Sequence, residues 1–233
     1  MALLDDALAA SGGLDRWREL TRFDAHISFD GSLIACGGSL RDMAAEGSVR
    51  TQCVRFGGFI EAERFAEYSP DRVTIERSDG SVIESRMQPG ERFPGEGNHQ
   101  AWDVLDLAYF CGLSLWSCMT MPFVLLHPGV EVQELPVRLE RGQVWRRLRA
   151  QFPPDVVTYA REQVLCFDNG GLLRRAEYRV AAGASVVQHA GAHQSFSGIT
   201  VPTLRRSLAC QADGTVNARP ALVDVEIFDA RFE

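Results

Sequence analysis

The chain has 233 residues, of which 45% are hydrophobic and 24% charged, with 21 Gly and 10 Pro; this globular composition excludes disordered, collagen-like and low-complexity chains. All 24 of its basic residues are arginine, which excludes a Schiff-base lysine, a lysine general base and a phosphate-loop lysine, although the codon bias of a GC-rich genome leaves the same trace. The net charge of −7 argues against nucleic acid or an anionic membrane surface as a partner, since both need a basic face.

The chain opens Met-Ala-Leu-Leu-Asp-Asp-Ala-Leu-Ala-Ala, with neither a positive leader nor a long apolar run, so the expected location is cytoplasmic. Residues 1–20 read as two N-terminal helices. Leu3, Leu4, Ala7 and Leu8 recur at helical spacing, Gly12-Gly13 interrupts, and Leu14, Trp17 and Leu20 follow on a second short helix. After Thr21 the period becomes 2: Phe23, Ala25, Ile27 and Phe29 alternate with Asp24, His26, Ser28 and Asp30, as in a strand with one buried face. Alternation continues through most of the chain. Gly-Gly pairs at 37–38 and 57–58, Ser69-Pro70-Asp71, Ser78-Asp79-Gly80, Arg141-Gly142 and Asp213-Gly214 punctuate it. Asn169-Gly170, between Val164–Phe167 and Leu172-Leu173, is the clearest hairpin turn. Roughly ten to twelve strands result, mainly antiparallel because no helical crossovers separate them. The expected fold is mainly β (α+β), with residues 1–233 forming one domain.

Residues 102–121 break this rhythm. From Leu107 to Leu126 no residue is charged, a length that reaches across a bilayer. Pro122 near the end and the diluting Gly112, Ser114, Ser117 and Thr120 favour a buried helix over a membrane span, and Asp103 and Asp106 suit the positive end of its dipole. One stripe of this central helix, Leu105, Tyr109, Leu113, Trp116 and Met119, has the spacing either of plain core or of a cavity wall.

Three strands place an arginine on a face that otherwise reads as apolar: Arg146 with Val144, Leu148 and Phe152; Arg174 with Leu172, Ala176 and Tyr178; Arg206 with Leu204, Leu208 and Cys210. A buried guanidinium needs a partner. The three either form the cationic end of an apolar cavity suited to a carboxylate or phosphate, or snorkel to the rim and pair with Asp224 or Glu226. His189 and His193, about 13 Å apart on a strand, are too far apart to share a metal, so no metal is expected. His26, His189 and Tyr178 are the weak candidates for proton transfer or hydrogen bonding, and His99 and His127 flank the central helix. The six cysteines (Cys36, Cys53, Cys111, Cys118, Cys166, Cys210) lack CxxC spacing and read as free buried thiols. Gly95-Glu96-Gly97-Asn98 is a loop placed to act as a lid. No nucleophile elbow, dinucleotide fingerprint, zinc-protease motif or phosphate loop occurs, so no cofactor is expected.

Several strings taken together resemble an uncharacterised bacterial family: Gly12-Gly13-Leu14-Asp15-Arg16-Trp17; Trp102-Asp103-Val104-Leu105-Asp106-Leu107-Ala108-Tyr109-Phe110 with Leu115-Trp116; Leu172-Leu173-Arg174-Arg175; and Val201-Pro202-Thr203-Leu204-Arg205-Arg206. That family is similar, more distantly, to carriers of the LolA/LolB type. The resemblance implies a curved antiparallel half-barrel whose helices close a hydrophobic cavity that holds acyl chains. The export signal and lipid-attachment cysteine of such carriers are missing from this sequence, so lipoprotein traffic is not implied, and no catalytic residue transfers. The expected function is binding of a hydrophobic or amphipathic small molecule, lipid-like or polyketide-like, between sheet and central helix. A cofactor-independent cyclase or isomerase acting on a nonpolar substrate needs only a shaped apolar cavity and one or two polar groups. An interaction scaffold instead requires an exposed apolar patch.

Overall fold

A computed structural model describes residues 2–34, 40–92, 102–140, 142–180, 183–211, 215–216 and 220–233. Two meanders share one sheet. The first runs outward through β1 (Arg22–Asp30), β2 (Leu40–Ser48), β3 (Val54–Gly57), β4 (Arg64–Tyr68), β5 (Arg72–Arg77) and β6 (Val82–Met87). The chain then crosses through helix α3 (Val104–Thr120) to the opposite edge. From there β7 (Glu131–Glu140), β8 (Gln143–Gln151), β9 (Glu162–Phe167), β10 (Leu173–Arg179), β11 (Ser185–Phe196), β12 (Ile199–Cys210) and β13 (Val223–Phe232) return to the middle. There β13 pairs antiparallel with β1, Phe23 opposite Phe232, which joins the meanders into one 13-stranded sheet with β6 and β7 at its edges. The sheet is curved and does not close. The count exceeds the expected ten to twelve because β3 and β4 are only four and five residues long.

The concave face is the core. On β1, Phe23, Ala25, Ile27 and Phe29 are buried, in the phase that their alternation dictates. The Asn169-Gly170 turn joins β9 to β10, where Asp168 Oδ1 accepts from the backbone N–H groups of Gly170 and Leu172. The N-terminal helices are α1 (Ala2–Ala10) and α2 (Leu14–Glu19). Leu3, Leu4, Ala7 and Leu8 of α1 are buried, and Trp17 of α2 stacks on Phe123 with ring centroids 4.2 Å apart. Gly12 at the joint has φ +116°, and a Cβ there would lie 2.2 Å from the Gly198 carbonyl, so glycine lets α1 and α2 close onto the β11–β12 turn.

Helix α3 lies in the concavity and is buried on nearly all sides. It is shorter than the 102–121 segment: Asp103 is its N-cap, with Asp106 completing a capping box, and Met121, held extended before Pro122, ends it. Arg86 of β6 reaches Asp103 at 2.6 Å and Asp106 at 2.7 Å, and Arg92 reaches Asp106 at 3.1 Å. Burial of Asp103 works against ionisation, yet the hydrogen bonds from Arg86 and the Asp106 N–H hold its pKa at about 2. No helix among the described residues is long and apolar enough to cross a membrane. The Gly95–Asn98 loop, His99, Cys36 and the Gly37-Gly38 turn lie outside the described residues.

Candidate functional site

Helix α3 packs against β3, β4, β5 and β6, closely enough that Gly112 sits under the ring of Tyr68. On its other flank the helix meets β12 near its C-terminal end, where Arg205 reaches the Cys118 carbonyl, and beside Tyr109 to Leu113 a cavity of ≈ 880 Å³ separates it from β10 to β13, within the range of small-molecule sites. Tyr109, Phe110 and Leu113 of α3 form one wall. Tyr178, Val180, Val186, Ser207 and Val223 form the facing sheet wall, and the 153–161 segment between β8 and β9 closes a third side. An aromatic ladder crosses the cavity: Trp102 to Phe110 at 5.1 Å, Phe110 to Tyr159 at 5.9 Å, and Tyr159 stacked on Tyr178 at 5.4 Å. The exposed residues Asp71, Glu91, Asp155 and Arg161 lie at the rim.

The predicted helix stripe divides in this geometry. Tyr109 and Leu113 line the cavity, whereas Leu105 and Met119 are buried in core packing. Trp116 points to the sheet side and donates from Nε1 to the Ser48 carbonyl at 3.0 Å. Phe110 and Trp102, absent from the stripe, join the lining because the helix is covered all round and its apolar pattern has no preferred side.

None of the three predicted arginines lines the cavity, and each has a local reason. Arg146 is on the inner side of β8 as its alternation implies, but α1 covers that end of the strand and Asp6 takes the guanidinium at 2.7 Å. Arg174 is the extra residue of a bulge in β10, between Leu173 opposite Phe167 and Arg175 opposite Cys166. The bulge keeps Leu173, Ala176 and Tyr178 facing inward and leaves Arg174 beside Asp168 at 4.0 Å and His193 at 3.5 Å. On β12 the expected phase is reversed. Leu204 is 47% exposed, and Arg206 forms a two-pronged pair with Asp224 on the outer face at 2.7 and 2.9 Å. The inner face is Val201, Thr203, Arg205 and Ser207, all buried.

Arg205 therefore faces the concave side from β12, 5% exposed. It donates to Gln188 Oε1 at 3.2 Å and to the Cys118 carbonyl of α3 at 3.3 Å, while its Nε has no acceptor. Among the described residues no carboxylate pairs with it. Beside it is a void of ≈ 20 Å³ whose walls include Thr158 and Tyr159, which also wall the large cavity. Gln188 in turn donates from Nε2 to Ser207 Oγ at 3.2 Å. Burial pushes the hydroxyls of Tyr159 and Tyr178 well above the ordinary phenol value, so both stay protonated at neutral pH. The alternation of β12 conceals Arg205, because an inner face that carries threonine, arginine and serine reads as the solvent side. Its only signal is the Arg205-Arg206 pair itself, which puts one arginine on each face.

The candidate histidines sit elsewhere. His26 is on the outer face of β1, with Nε2 2.8 Å from Asp42 in a shallow groove of ≈ 340 Å³. His189 faces outward opposite Arg175 and Arg206. Burial and Arg175 lower its pKa, and burial and Arg174 lower that of His193, so both are neutral at pH 7. Tyr178, by contrast, lines the cavity. No group of three or more metal-binding side chains occurs among the described residues. The five described cysteines are free thiols, and burial raises the pKa of Cys111 and Cys118.

No family model matches the chain, and no curated protein matches it by sequence. Solved structures do match in fold. A LolA superfamily protein from Nitrosomonas europaea aligns over 100% of this chain and 92% of its own, at TM-score 0.54 and 11% identity. A domain described as belonging to an outer membrane lipoprotein-sorting protein of Vibrio parahaemolyticus aligns over 100% and 91%, at TM-score 0.54 and 10% identity. A DUF1329 family protein from Desulfovibrio piger aligns over 100% and 92%, at TM-score 0.53 and 11% identity. The chain has the LolA-type fold, a curved, unclosed antiparallel sheet around a buried helix.

Proposed function

We propose that the protein binds a hydrophobic or amphipathic small molecule, lipid-like in character, in the cavity between α3 and strands β10 to β13. The observation that carries this reading is the pairing of volume with lining: ≈ 880 Å³ walled mainly by aromatic and aliphatic side chains, with hydroxyls from Ser207, Tyr159 and Tyr178 among them. A well-formed apolar pocket with a few convergent polar groups is the usual form of a small-molecule site. The fold supports the same reading, since one structure of this shape is described as a lipoprotein-sorting protein.

Native mass spectrometry of freshly purified full-length protein, followed by solvent extraction, tests the reading. A co-purifying small molecule of lipid-like mass is the expected result. The bare polypeptide alone, with no uptake of added dodecan-1-ol, would overturn it.

A further inference from the structure

The polar groups at the base of the cavity have a direction. Arginine only donates hydrogen bonds, so the atom of Gln188 that faces Arg205 Nη1 is the amide oxygen, at 3.2 Å. The amide nitrogen of Gln188 then points to Ser207 Oγ, at 3.2 Å. The serine oxygen accepts that bond, and its own proton is directed elsewhere. Ser207 lies on the cavity wall next to Tyr178, whose hydroxyl interacts with it. With Ser207 and Tyr178 bonded to each other, the relay Arg205 to Gln188 to Ser207 therefore leaves one hydroxyl proton of that pair directed to the cavity.

The charge behind that relay is unmatched. Arg205 is 5% exposed, no carboxylate pairs with it among the described residues, and its Nε lacks an acceptor. A guanidinium taken out of water without a counter-charge is costly. Its field extends to the Tyr159 and Tyr178 hydroxyls. The rim has the opposite balance, with Asp71, Glu91 and Asp155 against Arg161. An anionic group is therefore disfavoured at the mouth and favoured at the base.

We propose that the cavity selects a ligand whose buried end is a carboxylate, seated on the proton that the bonded Ser207–Tyr178 hydroxyl pair leaves free, with the Arg205 guanidinium behind the pair and its hydrocarbon along the aromatic ladder. This rests on the binding function proposed above and adds the chemistry and orientation of the ligand. Arg205 acts as a positioning residue through Gln188 and Ser207.

The test is calorimetric titration of the full chain at neutral pH with dodecanoate and dodecan-1-ol, which share a tail and differ in the head. Dodecanoate is expected to bind roughly tenfold or more tightly, as a charge-assisted hydrogen bond implies. Arg205→Met should abolish that preference while dodecan-1-ol affinity stays unchanged. Ser207→Ala, which keeps the cation and removes the donating hydroxyl, should reduce it several-fold, and it still tests the relay if Arg205→Met does not fold. Equal affinity for acid and alcohol in the wild type, or a preference that survives in folded variants, would overturn the carboxylate anchor alone. Failure of both ligands to bind would remove the binding function together with the anchor.

Discussion

Gly112 of α3 lies directly beneath Tyr68 of β4: a Cβ at that position would be 2.3 Å from the tyrosine Cβ and Cγ. Tyr68 is fully buried and cannot withdraw. This contact sets how closely α3 approaches the β3–β6 side, and hence how much space stays open on the other flank. Gly112→Ala gains about 1 kcal/mol of helix propensity but overpacks the contact by about 1–3 kcal/mol. A net loss is expected, visible as a fall of a few degrees in the thermal midpoint by circular dichroism.

The Arg86 clamp on the α3 cap makes stability sensitive to acid. Asp103 has a pKa of about 2 in the fold against an ordinary 3.8. A carboxyl depressed in this way binds fewer protons folded than unfolded, so its contribution is complete above the unfolded value and is lost as pH falls through the folded one. Stability measured by urea titration should drop between about pH 4 and pH 2. Arg86→Met should move that drop to higher pH and cost about 2–3 kcal/mol at neutral pH, because the buried Asp106 also loses a partner.

Arg146 and Arg206 serve structure on their own strands and should leave the cavity unaffected. Arg146→Leu frees Asp6 of α1 and Arg206→Leu frees Asp224. Both pairs include a well-exposed member, so each substitution should cost less than about 1 kcal/mol. Dodecanoate affinity should change less than about twofold in either variant, since neither guanidinium reaches the ligand. Calorimetric titration against Arg205→Met makes the contrast.

Thiol reactivity should follow burial. Cys111, Cys118 and Cys166 are buried, and burial raises the thiol pKa of each, so none presents a thiolate. Of the five described cysteines, Cys210 and the partly buried Cys53 should be the ones that Ellman's reagent titrates in the native protein. Burial also raises the pKa of Cys53, so it should react slowly. Peptide mapping after alkylation assigns the sites.

The sequence was legible where a single interaction governs a segment. In β1 the only demand is that one face be dry, and Phe23, Ala25, Ile27 and Phe29 reveal it. In α1, Leu3, Leu4, Ala7 and Leu8 do the same at helical spacing. The chargeless run of α3 likewise announced a buried helix. Legibility failed where two demands compete. On β12 the inner face carries the polar relay and the outer face carries Leu204, so hydrophobic alternation points to the wrong side. On β10 one inserted residue at Arg174 shifts the phase, and bulges leave no mark in a pattern of period 2. The alternation of β8 does put Arg146 on the inner face, but its neutralisation by Asp6 depends on where α1 docks, a contact between residues far apart in the chain. The candidate site is thus written mostly in tertiary register, and its aromatic members come from three segments, Trp102 and Phe110 from one, Tyr159 and Tyr178 from two others, that only the fold brings together.

The most direct test of the binding cavity is to fill it. Val180 lies on the cavity wall at the end of β10 and is only partly buried, so Val180→Trp places an indole in the space without disturbing the core. Titration with dodecanoate should show saturable one-site binding in the wild type and a loss of roughly tenfold or more in Val180→Trp, at an unchanged thermal midpoint. Undiminished binding by a correctly folded Val180→Trp protein would contradict the account.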